Sequence, residues 1–144
     1  MATEDNKRIA RRMIDEVLNA NNLAVLDEIL APDYVDHTVP PGLPPNREGL
    51  RLLLQGLLAA FPNLHYDIEA ELAEGDRVVQ QLTGRGTQTG PLQGILPTGK
   101  AATWSEIHIG RIANGKIAEH WGEVDQLGML QQLGIIPAPG SAGA

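Results

Sequence analysis

Two side chains in the last third of the chain are candidates for acid/base chemistry: the carboxylate of Asp125 and the imidazole of His108. Asp125 lies between a predicted strand and a predicted helix. A carboxylate in an apolar pocket has a raised pKa, because burial disfavours its charged form, and it can then take a proton from an activated carbon. A histidine on the same wall can donate a hydrogen bond to a substrate carbonyl. These residue types predict acid/base chemistry, in which a proton is transferred to or from a small molecule.

The two candidates belong to a predicted β-hairpin. Asn114 and Gly115 lie between two alternating apolar runs, and this dipeptide is a strong signal for a two-residue turn. If Ala113 and Lys116 flank the turn, regular pairing puts directly opposed residues on one face. That face, predicted to be the chemical face, carries Trp104, Glu106, His108, Gly110, Ile112, Ile117, Glu119, Trp121, Glu123 and Asp125. The opposite face, predicted to be a packing face, carries Ser105, Ile107, Ile109, Arg111, Ala118, His120, Gly122 and Val124.

Regular pairing also places Trp104 opposite Asp125 and Glu106 opposite Glu123. Like charges that face each other across antiparallel strands are unfavourable. A β-bulge near Gly122 would separate the two glutamates, and it would also change the face on which Asp125 lies.

Further side chains are predicted to contact a substrate. They are Tyr34, His37, Trp104, Trp121 and Glu119. The two tryptophans would form apolar walls, and His37 would be a second hydrogen-bond donor from a short edge strand. Because Asp36 and His37 are consecutive in that strand, only one of them can point inward.

The rest of the chain supplies elements that would position these residues. Apolar residues at helical spacing predict helices over residues 4–20, 23–30, 47–61 and 126–133. Alternating apolar residues predict strands over residues 34–39, 64–72, 76–85, 101–112 and 116–124. Residues 89–99, rich in Gly, Pro and Thr, predict a loop folded over a pocket. Helices first and antiparallel strands afterwards indicate an α+β fold.

Length and composition exclude several classes of protein. The 144 residues fit one domain, predicted over residues 1–137 with a disordered tail over residues 138–144. A formal charge of −7 without a basic cluster argues against a nucleic-acid partner. The lack of cysteine excludes disulfides and thiolate catalysis. No dedicated metal-binding signature, signal segment or membrane-length apolar run is present, so we expect a cytoplasmic protein with no metal and no membrane partner.

Six short motifs stand in a characteristic order along nearly the whole chain. They are F-P-N-L at Phe61, A-E-G-D-R-V-V at Ala73, G-T-Q-T-G at Gly86, P-T-G-K at Pro97, R-I-A-N-G-K-I-A-E-H-W at Arg111 and D-Q-L-G-M-L-Q-Q-L-G at Asp125. In this order and spacing they resemble the SnoaL-like polyketide cyclases, or ester cyclases, of the nuclear-transport-factor-like superfamily. The resemblance implies a cone-shaped, strongly bent antiparallel or mixed sheet, packed with N-terminal helices around a pocket, in homodimers or homotetramers.

The resemblance also implies an activity. In this family an Asp at the position matching Asp125 is the general acid/base of an intramolecular aldol ring closure that uses no cofactor. The substrate would be a hydrophobic small molecule rich in ketones, whose acidic methylene supplies much of the activation. At Gln88 the family commonly has a histidine, so a polar contact at the pocket mouth differs here, and we expect Gln88 to contact the substrate.

Other interpretations stay open. An epoxide hydrolase of a neighbouring family would need two carboxylates and an arginine around one water, but Arg111 is predicted on the packing face. A non-catalytic module for ligand binding or dimerisation is a second alternative, since a fold alone does not fix function. Asp125 could also serve only as the N-cap of the last helix. Ile107, Ile109 and Val124 on the packing face would suit a dimer interface.

Overall fold

The computed structural model describes residues 2–140, which form one curved sheet with helices against its inner face. The helices are α1 (Ala2–Arg12), its π-helical continuation Met13–Leu18, a 3₁₀ turn Leu23–Val25, α2 (Leu26–Ile29), α3 (Arg47–Ala60) and α4 (Gln126–Gln132). The strands are β1 (Leu30–Asp36), β2 (His65–Glu74), β3 (Arg77–Thr87), β4 (Ala101–Ala113) and β5 (Lys116–Val124). The predicted α+β class is confirmed. Residues 141–144 of the predicted tail lie outside the described residues.

The five strands are arranged in the order β1-β5-β4-β3-β2. β1 runs parallel to β5, and the other neighbours are antiparallel, so the sheet is mixed. The predicted hairpin between β4 and β5 is confirmed, with φ angles of 52° at Asn114 and 75° at Gly115. Positive φ at both central residues is what a type I′ turn requires.

β1 differs most from the sequence prediction. It begins at Leu30 rather than at Tyr34, and the helix predicted before it shrinks to one 3₁₀ turn and the four residues of α2. Pro32, two residues beyond the predicted end of that helix, lies inside the strand. It is tolerated because β1 is an edge strand that pairs only with β5, and an edge position does not need every backbone N–H.

The helices bury their apolar faces against the inner face of the sheet. Asn46 caps α3 as its sequence position suggests, accepting a hydrogen bond from the backbone N–H of Gly49 at 3.1 Å. Phe61, directly after α3, is fully buried and packs against Trp104 of β4. Full burial of one such side chain stabilises a fold by about 1.5–3 kcal/mol. No helix within residues 2–140 is long and apolar enough to cross a membrane.

The pairing of β4 with β5 shifts by one residue beside the hairpin. Ile112 faces Ile117 as predicted, but Arg111 then faces Glu119, so Ala118 is an extra residue in β5. A shift of one residue moves every following side chain to the other face of the sheet. The bulge that the sequence left open near Gly122 lies instead at Ala118.

The bulge reverses the facing of β5. Glu119 and Trp121, predicted on the chemical face, lie on the outer face opposite Arg111 and Ile109. The opposite change brings three residues of β5 to the inner face: His120, Gly122 and Val124. The predicted pairing of Glu106 with Glu123 does not form, because Glu106 faces Val124. The predicted facing of β4 is confirmed, since His108 and Glu106 point inward.

Candidate active site

A cavity of about 280 Å³ lies between the inner face of the sheet and the helices. Most of its wall is apolar, with leucines from α3 and Ile14 and Met13 from the segment after α1. The predicted loop between β3 and β4 contributes Leu92 and Gln93 to this wall. The polar side chains that line the cavity are Tyr34, Asp36, Thr38, Tyr66, Gln80, Gln93, Glu106, His108, His120 and Gln126. An apolar cavity with a few converging polar groups suits a hydrophobic small molecule.

Asp36 is the first carboxylate in this wall and is only 2% exposed. Its oxygens accept hydrogen bonds from the Tyr34 hydroxyl at 2.5 Å and the Thr38 backbone N–H at 2.8 Å. His120 Nδ1 lies 3.1 Å from Asp36 Oδ2. Burial alone would raise the pKa of Asp36, but the hydrogen bonds and the charge of His120 outweigh it and lower the pKa to about 2. Asp36 is therefore an ionised acceptor.

Glu106 is the second carboxylate, 7% exposed, on β4. Its Oε2 accepts hydrogen bonds from the Tyr66 hydroxyl and the Trp104 indole N–H, both at 2.6 Å. Its Oε1 lies 2.6 Å from His108 Nε2. Burial pushes the pKa of Glu106 upward, but the hydrogen bond and charge of His108, with the two other donors, bring it below its ordinary value. Burial and this carboxylate raise the pKa of Tyr66, so its hydroxyl stays a donor.

The two histidines connect the carboxylates into one chain of polar contacts. His108 Nδ1 lies 2.8 Å from His120 Nε2, and the two rings stack at 5.0 Å. The order of contacts is Asp36, His120, His108 and Glu106. About a fifth of each histidine side chain is exposed, and both line the cavity. Within residues 2–140 no three His, Asp or Glu side chains are placed to hold a metal ion.

The number of protons on the two histidine rings follows from the three contacts between Asp36, His120, His108 and Glu106. Each outer contact needs an imidazole N–H that donates to a carboxylate, and the middle contact needs one proton between two ring nitrogens. When all three hydrogen bonds are made, the two rings carry three protons, and the group has one positive and two negative charges. Without the middle proton, two lone pairs face each other and one nitrogen is free to accept a proton from elsewhere.

Two glycines make room for this arrangement. A Cβ atom at Gly122 would lie 2.4 Å from His108 Nδ1. A Cβ atom at Gly84 would lie 2.6 Å from the Tyr66 ring and 2.8 Å from the Trp104 ring. Side chains at these two positions would displace His108 and the two donors to Glu106.

Asp125, the predicted general base, lies at the N-terminus of α4. Its side chain is exposed and accepts a hydrogen bond from the backbone N–H of Gly128 at 2.9 Å. The alternative that Asp125 caps the last helix is confirmed. Asp125 is not among the residues that line the cavity.

Three residues predicted to contact the substrate lie on the outer face of the sheet. His37 stacks on Trp121 at 4.9 Å, and its Nε2 lies 2.6 Å from Glu119 Oε2. Arg111 donates to the other oxygen of Glu119 at 2.9 Å. None of these side chains lines the cavity. The predicted facing that brought Trp121 and Glu119 to the chemical face is wrong because of the bulge, and of the pair Asp36 and His37 it is Asp36 that points inward.

The remaining predicted contacts are buried. Tyr34 lines the cavity, whereas Trp104 lies behind Glu106 and packs against Phe61 and Tyr66. Gln88 is fully buried and bonds to the loop before β4 instead of lining the cavity. Its Oε1 accepts from the Thr98 hydroxyl at 2.8 Å, and its Nε2 donates to the Leu96 carbonyl at 3.2 Å. Gln88 therefore holds the loop in place.

Sequence reasoning gave no role to Asp36, His120, Tyr66 or Gln80. For Asp36 a signal existed, because it lies two residues after Tyr34 in a strand and so shares its face. For His120, regular alternation from the hairpin predicted the packing face, because the extra residue at Ala118 could not be recognised in the sequence.

Comparisons with known proteins agree with this architecture. The family model of the SnoaL-like polyketide cyclases matches residues 8–133. Nogalonic acid methyl ester cyclase of Streptomyces nogalater is 31% identical over 76% of this chain and 83% of that protein. Aklanonic acid methyl ester cyclase of Streptomyces peucetius is 30% identical over 88% of each. The solved structure of TsrD from Streptomyces laurentii superposes with a TM-score of 0.84 at 28% identity, covering 92% of this chain and 97% of that one. The chain belongs to the family of SnoaL-like polyketide cyclases, enzymes with the nuclear-transport-factor-like fold.

Proposed function

We propose that this protein closes a ring by intramolecular aldol addition on a hydrophobic, ketone-rich polyketide, with acid/base catalysis by side chains and no cofactor. The observation that carries the proposal is the pair His108 and His120, held between two buried carboxylates in the wall of an apolar cavity. The names of two relatives support the substrate class, since they are cyclases of nogalonic and aklanonic acid methyl esters.

The histidine pair, rather than a carboxylate, is the proposed general base. Asp36 and Glu106 already accept two hydrogen bonds each from other donors, besides the contact with a histidine. Their remaining task is to hold the outer imidazole N–H groups, which orients both rings. The two facing ring nitrogens are then the basic atoms of two histidines that line the cavity.

The proton balance of the reaction closes within the pair. A ring nitrogen takes the proton from the methylene between two carbonyl groups, so the C–H bond breaks and an N–H bond forms. The new proton completes the hydrogen bond between the two rings. The enolate carbon then attacks the ketone and forms the new C–C bond. The same proton passes to the alkoxide oxygen, which gives the alcohol and returns the pair to its starting state.

The base role predicted for Asp125 is tested beside this proposal. Turnover of aklanonic acid methyl ester and of simpler 1,3-dicarbonyl compounds is measured for the wild type, His120→Gln and Asp125→Asn, each with and without EDTA. We expect His120→Gln to lower kcat by about 100-fold or more. We expect Asp125→Asn to stay within a few-fold of the wild type, because asparagine preserves the helix cap.

The opposite results point elsewhere. If Asp125→Asn abolishes turnover and His120→Gln retains it, the base is Asp125. If the wild type binds these compounds in the cavity but converts none of them, the ligand-binding module is the better interpretation. An epoxide hydrolase is not favoured, because Arg111 lies on the outer face and, of the arginines within residues 2–140, none lines the cavity.

A further inference from the structure

Gln80 is a polar side chain of the cavity wall that the proposed reaction does not use. It lies on the inner face of β3, is 5% exposed and pairs directly with His108 of β4. Opposed residues of antiparallel strands have Cβ atoms about 5 Å apart, so Gln80 borders the part of the cavity where the histidine pair lies. Its Nε2 donates a hydrogen bond to Glu71 Oε2 at 2.8 Å.

Glu71 fixes the orientation of the Gln80 amide. Its Oε1 lies 2.7 Å from Nη2 of Arg11, and its side chain is largely buried. A carboxylate paired with a guanidinium group can only accept hydrogen bonds. The NH₂ group of Gln80 must therefore point toward Glu71, and its carbonyl oxygen must point away.

The carbonyl oxygen of Gln80 has no hydrogen-bond donor within residues 2–140, since its one side-chain bond is the one to Glu71. In the same part of the chain, no fully enclosed side-chain nitrogen or oxygen lacks a partner. The oxygen therefore borders open space, and the space that Gln80 lines is the cavity. A buried residue thus presents one free acceptor, in a fixed orientation, beside His108.

We propose that Gln80 Oε1 recognises a hydroxyl group of the substrate. The ligand is then a polyketide with a free hydroxyl group, whose O–H donates to Gln80 while the reacting carbons lie at the histidine pair. This inference rests on the proposed function, because it specifies the substrate of the same cavity. A methoxy group in place of the hydroxyl cannot donate, and it would leave the amide oxygen without a partner.

A pair of binding probes tests the assignment without turnover. The dissociation constants of 2-naphthol and 2-methoxynaphthalene are measured by isothermal titration calorimetry, and their ratio is compared between proteins. We expect Gln80→Met to reduce the preference for the naphthol by about tenfold relative to the wild type, the usual loss for one hydrogen bond. Gln81→Met is the matched control, because Gln81 follows in the same strand but is exposed on the outer face, and it should keep the wild-type ratio.

Glu71→Gln is a second variant that leaves Gln80 in place. The guanidinium of Arg11 would take the new amide oxygen, and the new NH₂ group would donate to Gln80, which must then turn its own NH₂ group to the cavity. We expect the preference for the naphthol to fall or reverse. An unchanged ratio in folded Gln80→Met or Glu71→Gln protein overturns the assignment. Loss of turnover with an intact ratio counts only against the proposed cyclase reaction.

Discussion

Asp36 lines the candidate site and, as a buried carboxylate, also contributes to the stability of the fold. It is 2% exposed and its pKa is lowered from 3.8 to about 2, by the hydrogen bonds and charge that His120, Tyr34 and Thr38 supply against the cost of burial. A carboxyl group whose pKa is lower in the folded than in the unfolded state stabilises the fold above its unfolded pKa. That stabilisation is lost as the pH falls toward the folded pKa.

We therefore predict an acid-sensitive contribution from Asp36. Between about pH 5 and pH 2, the wild type should lose about 2 kcal/mol of its free energy of unfolding through this residue alone. Urea unfolding at several pH values, for the wild type and Asp36→Asn, measures the contribution as a difference in slope, since all other carboxyl groups are common to both proteins. Parallel pH profiles of the two proteins would show that Asp36 is not held in its ionised form.

At the same scale, alternation along β1 shows what could be predicted from the sequence. The pattern required that Asp36 and His37 point to opposite sides, but it could not say which of them points inward. The structure decides this because Tyr34, which shares a face with Asp36, is buried in the core. Recognition of a tyrosine and an aspartate two residues apart would have given the right choice.

At the scale of elements, α4 depends on Asp125 for its first turn. The side chain accepts from the N–H of Gly128, and the helix then packs Met129 and Leu133 into the core. Its Gln132 also bonds to both backbone groups of Thr103 in β4, at 2.8 and 2.7 Å. The last residue of this helix is thus connected to the strand that carries Glu106 and His108.

We predict that Asp125→Ala lowers the free energy of unfolding by about 1 kcal/mol, because it removes the N-cap. Asp125→Asn should lower it by much less, since an asparagine side chain also caps helices well. Urea unfolding of both variants at neutral pH provides the comparison. Equal losses in the two variants would mean that the charge, and not the cap, is what α4 needs.

The elements also show where prediction from the sequence ended. The hairpin at Asn114 and Gly115 was predictable because both residues accept positive φ. The facing of β4 followed from simple alternation. The facing of β5 did not, because no glycine or other local signal marks Ala118 as an extra residue. Every residue of β5 after an unrecognised bulge is assigned to the wrong face. This one error excluded His120 from the predicted site and included Trp121 in it.

For the whole molecule, the outer face of the sheet exposes apolar side chains, and no helix within residues 2–140 covers them. Leu72 is 68% exposed and Ile107 51%, and the half-buried Val79 and Ile109 continue the row of paired residues from Leu72. The sequence had placed Ile107 and Ile109 on this face, which is confirmed, and Val124, which instead lines the cavity. Exposed apolar side chains that are contiguous mark surfaces that bind other proteins.

We predict that two copies of the chain associate through this outer face into a homodimer or homotetramer, because a symmetric contact would bury the same apolar residues from both copies. Ile107→Glu places a charge at the centre of the contact and should give monomers at micromolar concentration in sedimentation velocity. Leu96→Glu is the matched control: Leu96 is 79% exposed, but in the loop before β4, and this variant should sediment like the wild type. A wild type that sediments as a monomer, or an Ile107→Glu variant that still associates, would place the interface elsewhere or remove it. Because the cavity lies on the inner side of the sheet, the monomeric variant should also keep the preference for 2-naphthol.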